Sequence, residues 1–163
     1  DISNFRILVV GGGSKKEWVI KEVKKLNINK YFEFHHNYPL DRMGSFFMHA
    51  DALLVSLSNT KVFNMTIPGK VQFYLSSGIP IVGMICGEGA KVIKKANAGY
   101  VCNSGDYIGL SKLIYKFTKL KKQSLKEMGN NGKEYSKQEF SKTLLIKNLE
   151  KILVDTSNKY LEQ

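Results

Sequence analysis

Cysteine is scarce here, with only Cys86 and Cys102 in 163 residues. Two thiols in apolar, strand-like segments do not make a disulfide framework. The expectation is buried free thiols in a reducing cytoplasm. The three histidines, His35, His36 and His49, have no carboxylate or cysteine at a ligand spacing, so no metal site is expected. No apolar run approaches the roughly 20 residues of a bilayer-spanning helix. The first residues, Asp1-Ile-Ser-Asn-Phe5, lack the basic and apolar regions of a signal peptide. They also lack an initiator Met, and a segment of a longer polypeptide is expected. There is no low-complexity tract, no G-x-G-x-x-G, no Ser/His/Asp set and no working pair of carboxylates. No catalytic residue is therefore assigned.

Negative charge is short as well. Fourteen acidic residues stand against 25 basic ones, a net charge of +11. Such an excess fits phosphate-bearing substrates, an anionic membrane surface or nucleic acid. Most lysines alternate with apolar residues at helical spacing and read as solvated faces. An RNA-binding aromatic signature and a zinc-finger spacing are both missing, so nucleic acid is not an expected partner.

What is present reads as one globular α/β domain, 43% hydrophobic and long enough for a real core. Phe5 to Val10 is an apolar run that ends in Gly11-Gly12-Gly13-Ser14, and a helix from Lys15 to about Leu26 follows, with Trp18, Val19, Val23 and Leu26 at helical spacing. Strand, glycine turn and helix start form a βα unit with a phosphate-friendly loop. Tyr31–His35 alternates as a strand. Leu40–Ala50 reads as a short helix, Asp51–Leu57 as an apolar strand of the central parallel kind, and Ser58–Met65 as a polar loop.

The stretch from Thr66 to Gly83 organises the rest. Thr66 is a candidate N-cap and Pro68 fits a first helical turn. Gly69, Lys70 and Val71 then offer free amides at a positive helix end, with the Lys70 ammonium beside them for an anion. Val71, Tyr74 and Leu75 fall on an inward face, and Gly78 is placed to stop the helix. Ile79–Ile85 is a buried strand. Cys86–Gly89 is a turn, with Glu88 opening a helix over Ala90–Ala96. Gly99–Asn103 is a strand. Asp106 caps a helix to about Lys119. Further helices start near Ser124 and run from about Glu139 to Leu153. Strands alternating with helices give a Rossmann-like parallel sheet with helices on both faces. Ligands bind beyond the carboxyl ends of such strands. There the loops Gly11–Ser14, Ser56–Gly69 and Gly87–Gly89 are expected to converge.

Several blocks, in order, carry a resemblance. Ile7-Leu-Val-Val-Gly-Gly-Gly13, Ala50-Asp-Ala-Leu53, Pro68-Gly-Lys-Val-Gln-Phe-Tyr-Leu-Ser-Ser-Gly-Ile-Pro-Ile-Val82, and Gly87-Glu88 with Val92-Ile93 and Ala98-Gly99 resemble the C-terminal half of GT-B glycosyltransferases of the retaining family four. The ending Met128-Gly-Asn-Asn-Gly-Lys-Glu-Tyr135 fits too. The resemblance covers nearly the whole chain and implies that residues 1–163 are a single C-terminal donor-binding domain. It implies the donor-binding half of an enzyme that transfers a sugar in surface polysaccharide or glycoconjugate assembly, inactive without its N-terminal acceptor domain. No cofactor is implied, and the substrate is a UDP- or GDP-type sugar. Gly11, Gly12, Gly13, Thr66, Pro68, Gly69, Lys70, Gln72, Gly87 and Glu88 are the implied binding residues. A cytoplasmic place is expected, and the basic surface suggests a position peripheral to the inner face of an anionic membrane. Where many members have two glutamates, for sugar and ribose, this chain has Met65 and Phe73, with Gln72 the nearest polar side chain. The rival reading is a noncatalytic basic α/β module that binds nucleic acid or anionic membrane.

Overall fold

The computed structural model describes residues 5–39 and 42–161. It divides into two compact units, Asp1–His49 and Ala50–Gln163.

In the first unit, β1 (Ile7–Val10) and β2 (Phe32–His35) pair in parallel, with Ile7 opposite Phe32. The crossover between them is α1 (Lys16–Lys25), followed by a 3₁₀ turn at Asn29–Tyr31. Tyr31 therefore closes a turn instead of opening the strand. Only Val23 of α1 is buried, and Trp18 is 60% exposed. The expected helix over Leu40–Ala50 shortens to α2 (Met43–Phe47), and its Leu40 lies outside the described residues.

The second unit runs β3 (Leu53–Ser56), α3 (Lys61–Met65), α4 (Gly69–Ser77), β4 (Ile81–Met84), α5 (Gly87–Lys95), β5 (Gly99–Cys102), α6 (Tyr107–Lys119), α7 (Lys122–Glu139) and α8 (Lys142–Leu161). Its three strands are parallel in the order β3–β4–β5, with Leu53 opposite Ile81 and Ile81 opposite Gly99. Strand β4 is central and buried through Ile81, Val82 and Gly83. In β3 only Leu53 and Val55 face inward, while Leu54 and Ser56 are exposed. The expected all-buried strand is thus an alternating one. Val71 and Leu75 of α4 join Val55, Ile81, Ile85, Ile93 and Ala98 in the core. Helix α4 stops at Gly78 in the left-handed conformation, φ 75°, as its sequence requires.

Other boundaries move as well. The polar loop Ser58–Met65 contains α3, which Thr60 caps by accepting a hydrogen bond from the Phe63 amide at 3.3 Å. Asp106 caps α6 as expected, through the Gly109 amide at 2.7 Å. The last two helices start at Lys122 and Lys142, two residues before and three after their expected positions, and α8 continues to Leu161. Ser141 sets the second start: its hydroxyl accepts from the Leu144 amide at 3.4 Å, and so separates α8 from α7. Helix α8 presents Leu145, Ile146, Leu149, Ile152 and Leu153 between 45 and 61% exposed, an apolar stripe that no described residue covers.

Candidate functional site

Two of the expected loops meet in the second unit, and two glycines let them. Gly87, with φ 70°, begins α5 directly against the last turn of α3: a Cβ there would lie 2.1 Å from the Asn64 carbonyl oxygen. Gly89 makes room for Pro68, since a Cβ there would lie 2.9 Å from the proline Cδ. The starts of α4 and α5 are therefore side by side at the carboxyl end of β4, the place such folds use for ligands.

At the start of α4, Pro68 is the N-cap (φ −62°, ψ 139°) in place of Thr66, two residues later than expected, and so it lies just before the first helical turn instead of within it. Its carbonyl accepts from the Val71 and Gln72 amides at 2.9 and 3.3 Å. The amides of Gly69 and Lys70 have no backbone partner among the described residues, so they and the positive helix end are available to an anion. Lys70 is exposed and has no acidic partner among the described residues. Thr66 does not cap α4. It ends α3 in extended backbone, and its hydroxyl donates to the Val62 carbonyl at 3.0 Å. With α3 present, Thr66 closes one helix and cannot also begin the next. Gln72 turns back to the Ile67 carbonyl at 3.4 Å. Met65 and Phe73 are 69 and 40% exposed, and Phe73 stands one turn from Lys70 on α4.

At the start of α5, Glu88 lies inside the first helical turn, because the helix begins three residues before its expected start at Ala90. Its carboxylate complements the helix dipole and pairs with Lys91 at 2.6 Å. Cys86 is the N-cap of α5, and neither cysteine is buried as expected: both thiols are half-exposed. The Ser104 amide donates to Cys86 Sγ at 3.3 Å. That bond, together with the charge of Lys94, holds the Cys86 thiol below the usual thiol range, while burial and the Asp106 carboxylate push the Cys102 thiol up. Sequence reasoning missed Cys86 as a neighbour of the site. The signal was its position just before Gly87-Glu88, at a helix start.

A prediction follows from the two opposite shifts. The thiolate is the reactive form, and below the usual thiol range Cys86 holds the larger thiolate fraction. Iodoacetamide should alkylate Cys86 ahead of Cys102, with a lead that narrows as the pH rises past both. Peptide mass spectrometry at several pH values reads the two rates. Equal rates at low pH, or Cys102 first, would overturn this reading.

The third expected loop belongs to the first unit. Gly11 has φ 130°, Gly12 packs beside the Asn37 side chain, and Gly13 accepts from the Lys16 amide at 2.9 Å to turn into α1. Lys16 Nζ donates to the His35 carbonyl at 2.5 Å, which ties the start of α1 to the end of β2.

The family model for glycosyl transferases group 1 matches residues 1–135. The chain belongs to that family. Among solved structures, sucrose-phosphate synthase (tll1590) from Thermosynechococcus elongatus matches with a TM-score of 0.73 at 16% identity, over 93% of this chain and 39% of that one. Anabaena Alr3699/HepE in complex with UDP-glucose matches with a TM-score of 0.76 at 13% identity, over 92 and 41%. WaaG, a glycosyltransferase involved in lipopolysaccharide biosynthesis, matches with a TM-score of 0.65 at 17% identity, over 80 and 33%. These likenesses show the fold. Parallel strands flanked by helices are the GT-B arrangement expected from the sequence. This glycosyltransferase domain spans about two fifths of the length of the first two structures. No curated protein matches the sequence.

Proposed function

We propose that this chain is the donor-binding half of an enzyme that transfers a sugar from a UDP- or GDP-type donor during polysaccharide or glycoconjugate assembly. One observation carries the reading: the adjoining starts of α4 and α5, locked by Gly87 on Asn64 and Gly89 on Pro68, with Lys70, which has no acidic partner among the described residues, beside them. As the bond from sugar to diphosphate breaks, negative charge grows on the departing phosphate. Fixed amides and an ammonium stabilise that charge without reorganising. The UDP and UDP-glucose complexes of Alr3699/HepE support a uridine donor, and the likeness to WaaG supports a glycoconjugate product. An acceptor-binding domain outside these residues is part of the proposal. The 39–41% coverage supports it, as does the uncovered apolar stripe of α8. The net charge of +11 supports a cytoplasmic position at an anionic membrane face.

Calorimetry with UDP and with uridine tests the site. Lys70 is exposed, and removing a solvent-screened charge costs up to about 1 kcal/mol, roughly fivefold in Kd. Lys70→Ala should weaken UDP by that factor and leave uridine unchanged. The helix survives, because alanine is the best helix former. An equal loss for both ligands, or none for either, would remove Lys70 from the diphosphate site.

A further inference from the structure

A cavity of about 370 Å³ opens where the ends of α4 and α7 meet the first turn of α8. It lies at the opposite end of α4 from Lys70. Ser76, Lys133, Ser136, Lys137, Phe140 and Ser141 line it. We propose that this cavity is a second anion site, one that takes the phosphate group of a phosphomonoester.

The lining has the chemistry for that group. Lys133 and Lys137 stand one turn apart on α7 and so share a face, where two like charges repel. Glu134 engages Lys137 at 2.7 Å, and Glu139 lies 3.9 Å from Lys95, but Lys133 has no acidic partner among the described residues. A dianionic phosphate takes the Lys133 ammonium directly and draws Lys137 from its exposed Glu134 partner, giving two charge-assisted hydrogen bonds. The Ser136 hydroxyl has no hydrogen-bond partner among the described residues and is free to donate. Ser141 Oγ accepts from the Leu144 amide, which leaves its own proton for the ligand. The Ser76 hydroxyl is already used, donating to the Phe73 carbonyl at 2.8 Å, and offers only lone pairs.

Behind Ser141, the amides of Lys142 and Thr143 begin a 20-residue helix whose positive end faces the same region. The Phe140 ring, set edge-on to Tyr135 with centroids 5.9 Å apart, supplies an apolar wall for the organic part of the ester. The volume falls within the roughly 300–1,000 Å³ of small-molecule sites. Phosphomonoesters reach such a site either free in solution or as the headgroup of an anionic lipid.

Phenyl phosphate is the probe for the free source, titrated into the whole 163-residue chain at constant ionic strength and followed by ¹⁵N NMR. The expected result is saturable shifts at Ser76, Lys133, Ser136 and Ser141. The Lys133→Gln/Lys137→Gln double variant should raise Kd on the order of tenfold, while Lys133→Arg/Lys137→Arg retains binding. Lys70→Ala should leave phenyl phosphate binding intact, which separates this site from the diphosphate site. Vesicles of phosphatidylcholine with and without phosphatidic acid probe the lipid source: sedimentation that needs phosphatidic acid and is lost in the glutamine variant assigns the site to a lipid headgroup. Binding of phenyl phosphate without that dependence assigns it to a soluble ester. Shifts that potassium chloride reproduces, or a glutamine variant equal to the parent with both probes, would overturn the proposal.

Discussion

Gly87→Ala should destabilise the second unit by about 3–5 kcal/mol. Two costs combine. At φ 70° an L side chain sits in the left-handed region, roughly 1–2 kcal/mol above a glycine. The new Cβ would also lie 2.1 Å from the Asn64 carbonyl oxygen and 2.3 Å from its Cα, and backbone cannot rotate aside as a side chain can. The last turn of α3 and the start of α5 must separate, and Pro68, seated on Gly89, loses its support. UDP binding should fall with stability, since this contact fixes the start of α5 beside that of α4. Gly69→Ala is the control: its Cβ would meet nothing within 4 Å, so it should leave stability almost unchanged. Urea unfolding followed by far-UV circular dichroism compares the two variants. A Gly87→Ala protein within about 1 kcal/mol of the parent, less than the combined costs allow, would mean that α3 and α5 do not pack as described.

Gly129→Ala should cost about 3 kcal/mol, against the direction that helix propensity gives. In the middle of an exposed helix this change gains close to 1 kcal/mol. Here α7 crosses α4 so closely that the Cβ would fall 1.9 Å from the Gly78 carbonyl oxygen. Moving α7 away also opens the layer in which Gly132 meets Leu75 and Ala98. Gly132→Ala should cost less, because its nearest neighbours, the Ala98 Cβ at 3.0 Å and the Leu75 Cδ2 at 3.2 Å, are side-chain atoms with some freedom to shift. Denaturation midpoints should rank the parent above Gly132→Ala and Gly132→Ala above Gly129→Ala. A rise in the midpoint for Gly129→Ala would show that propensity outweighs the close approach.

These glycines mark where sequence reading stops. The β4 run, the Gly78 stop and the Asp106 cap were legible because each signal is local: an apolar run, a helix-ending glycine, a carboxylate three residues before the amide it caps. The adjoining starts of α4 and α5 were legible in outline, since Pro68 and Gly87-Glu88 both follow strands. Helix α3 was hidden. Its Val62, Phe63 and Met65 are all exposed, so no burial period marks it, and Thr60 is a weak cap signal in a polar stretch. Thr66 was misplaced for the same reason, because its role depends on that helix. The need for glycine at 87 and 129 comes from chain segments remote in sequence, Asn64 and Gly78, and no local pattern records it. Nor could spacing show that Ser76 shares a cavity with Ser141.

The position of Trp18 bears on how such variants are measured. It is the only tryptophan in the chain, and it stands on α1 of the first unit with most of its ring in water. Its emission should already resemble that of a hydrated indole in the native state, open to acrylamide and shifting little when the chain unfolds. The longest helices, α7 and α8, are in the second unit and dominate the far-ultraviolet signal. Intrinsic fluorescence and circular dichroism thus report on different units, and their urea transitions coincide only if both units melt as one. A tryptophan placed at Phe117, buried in α6 against Tyr100, would give the second unit an optical probe of its own.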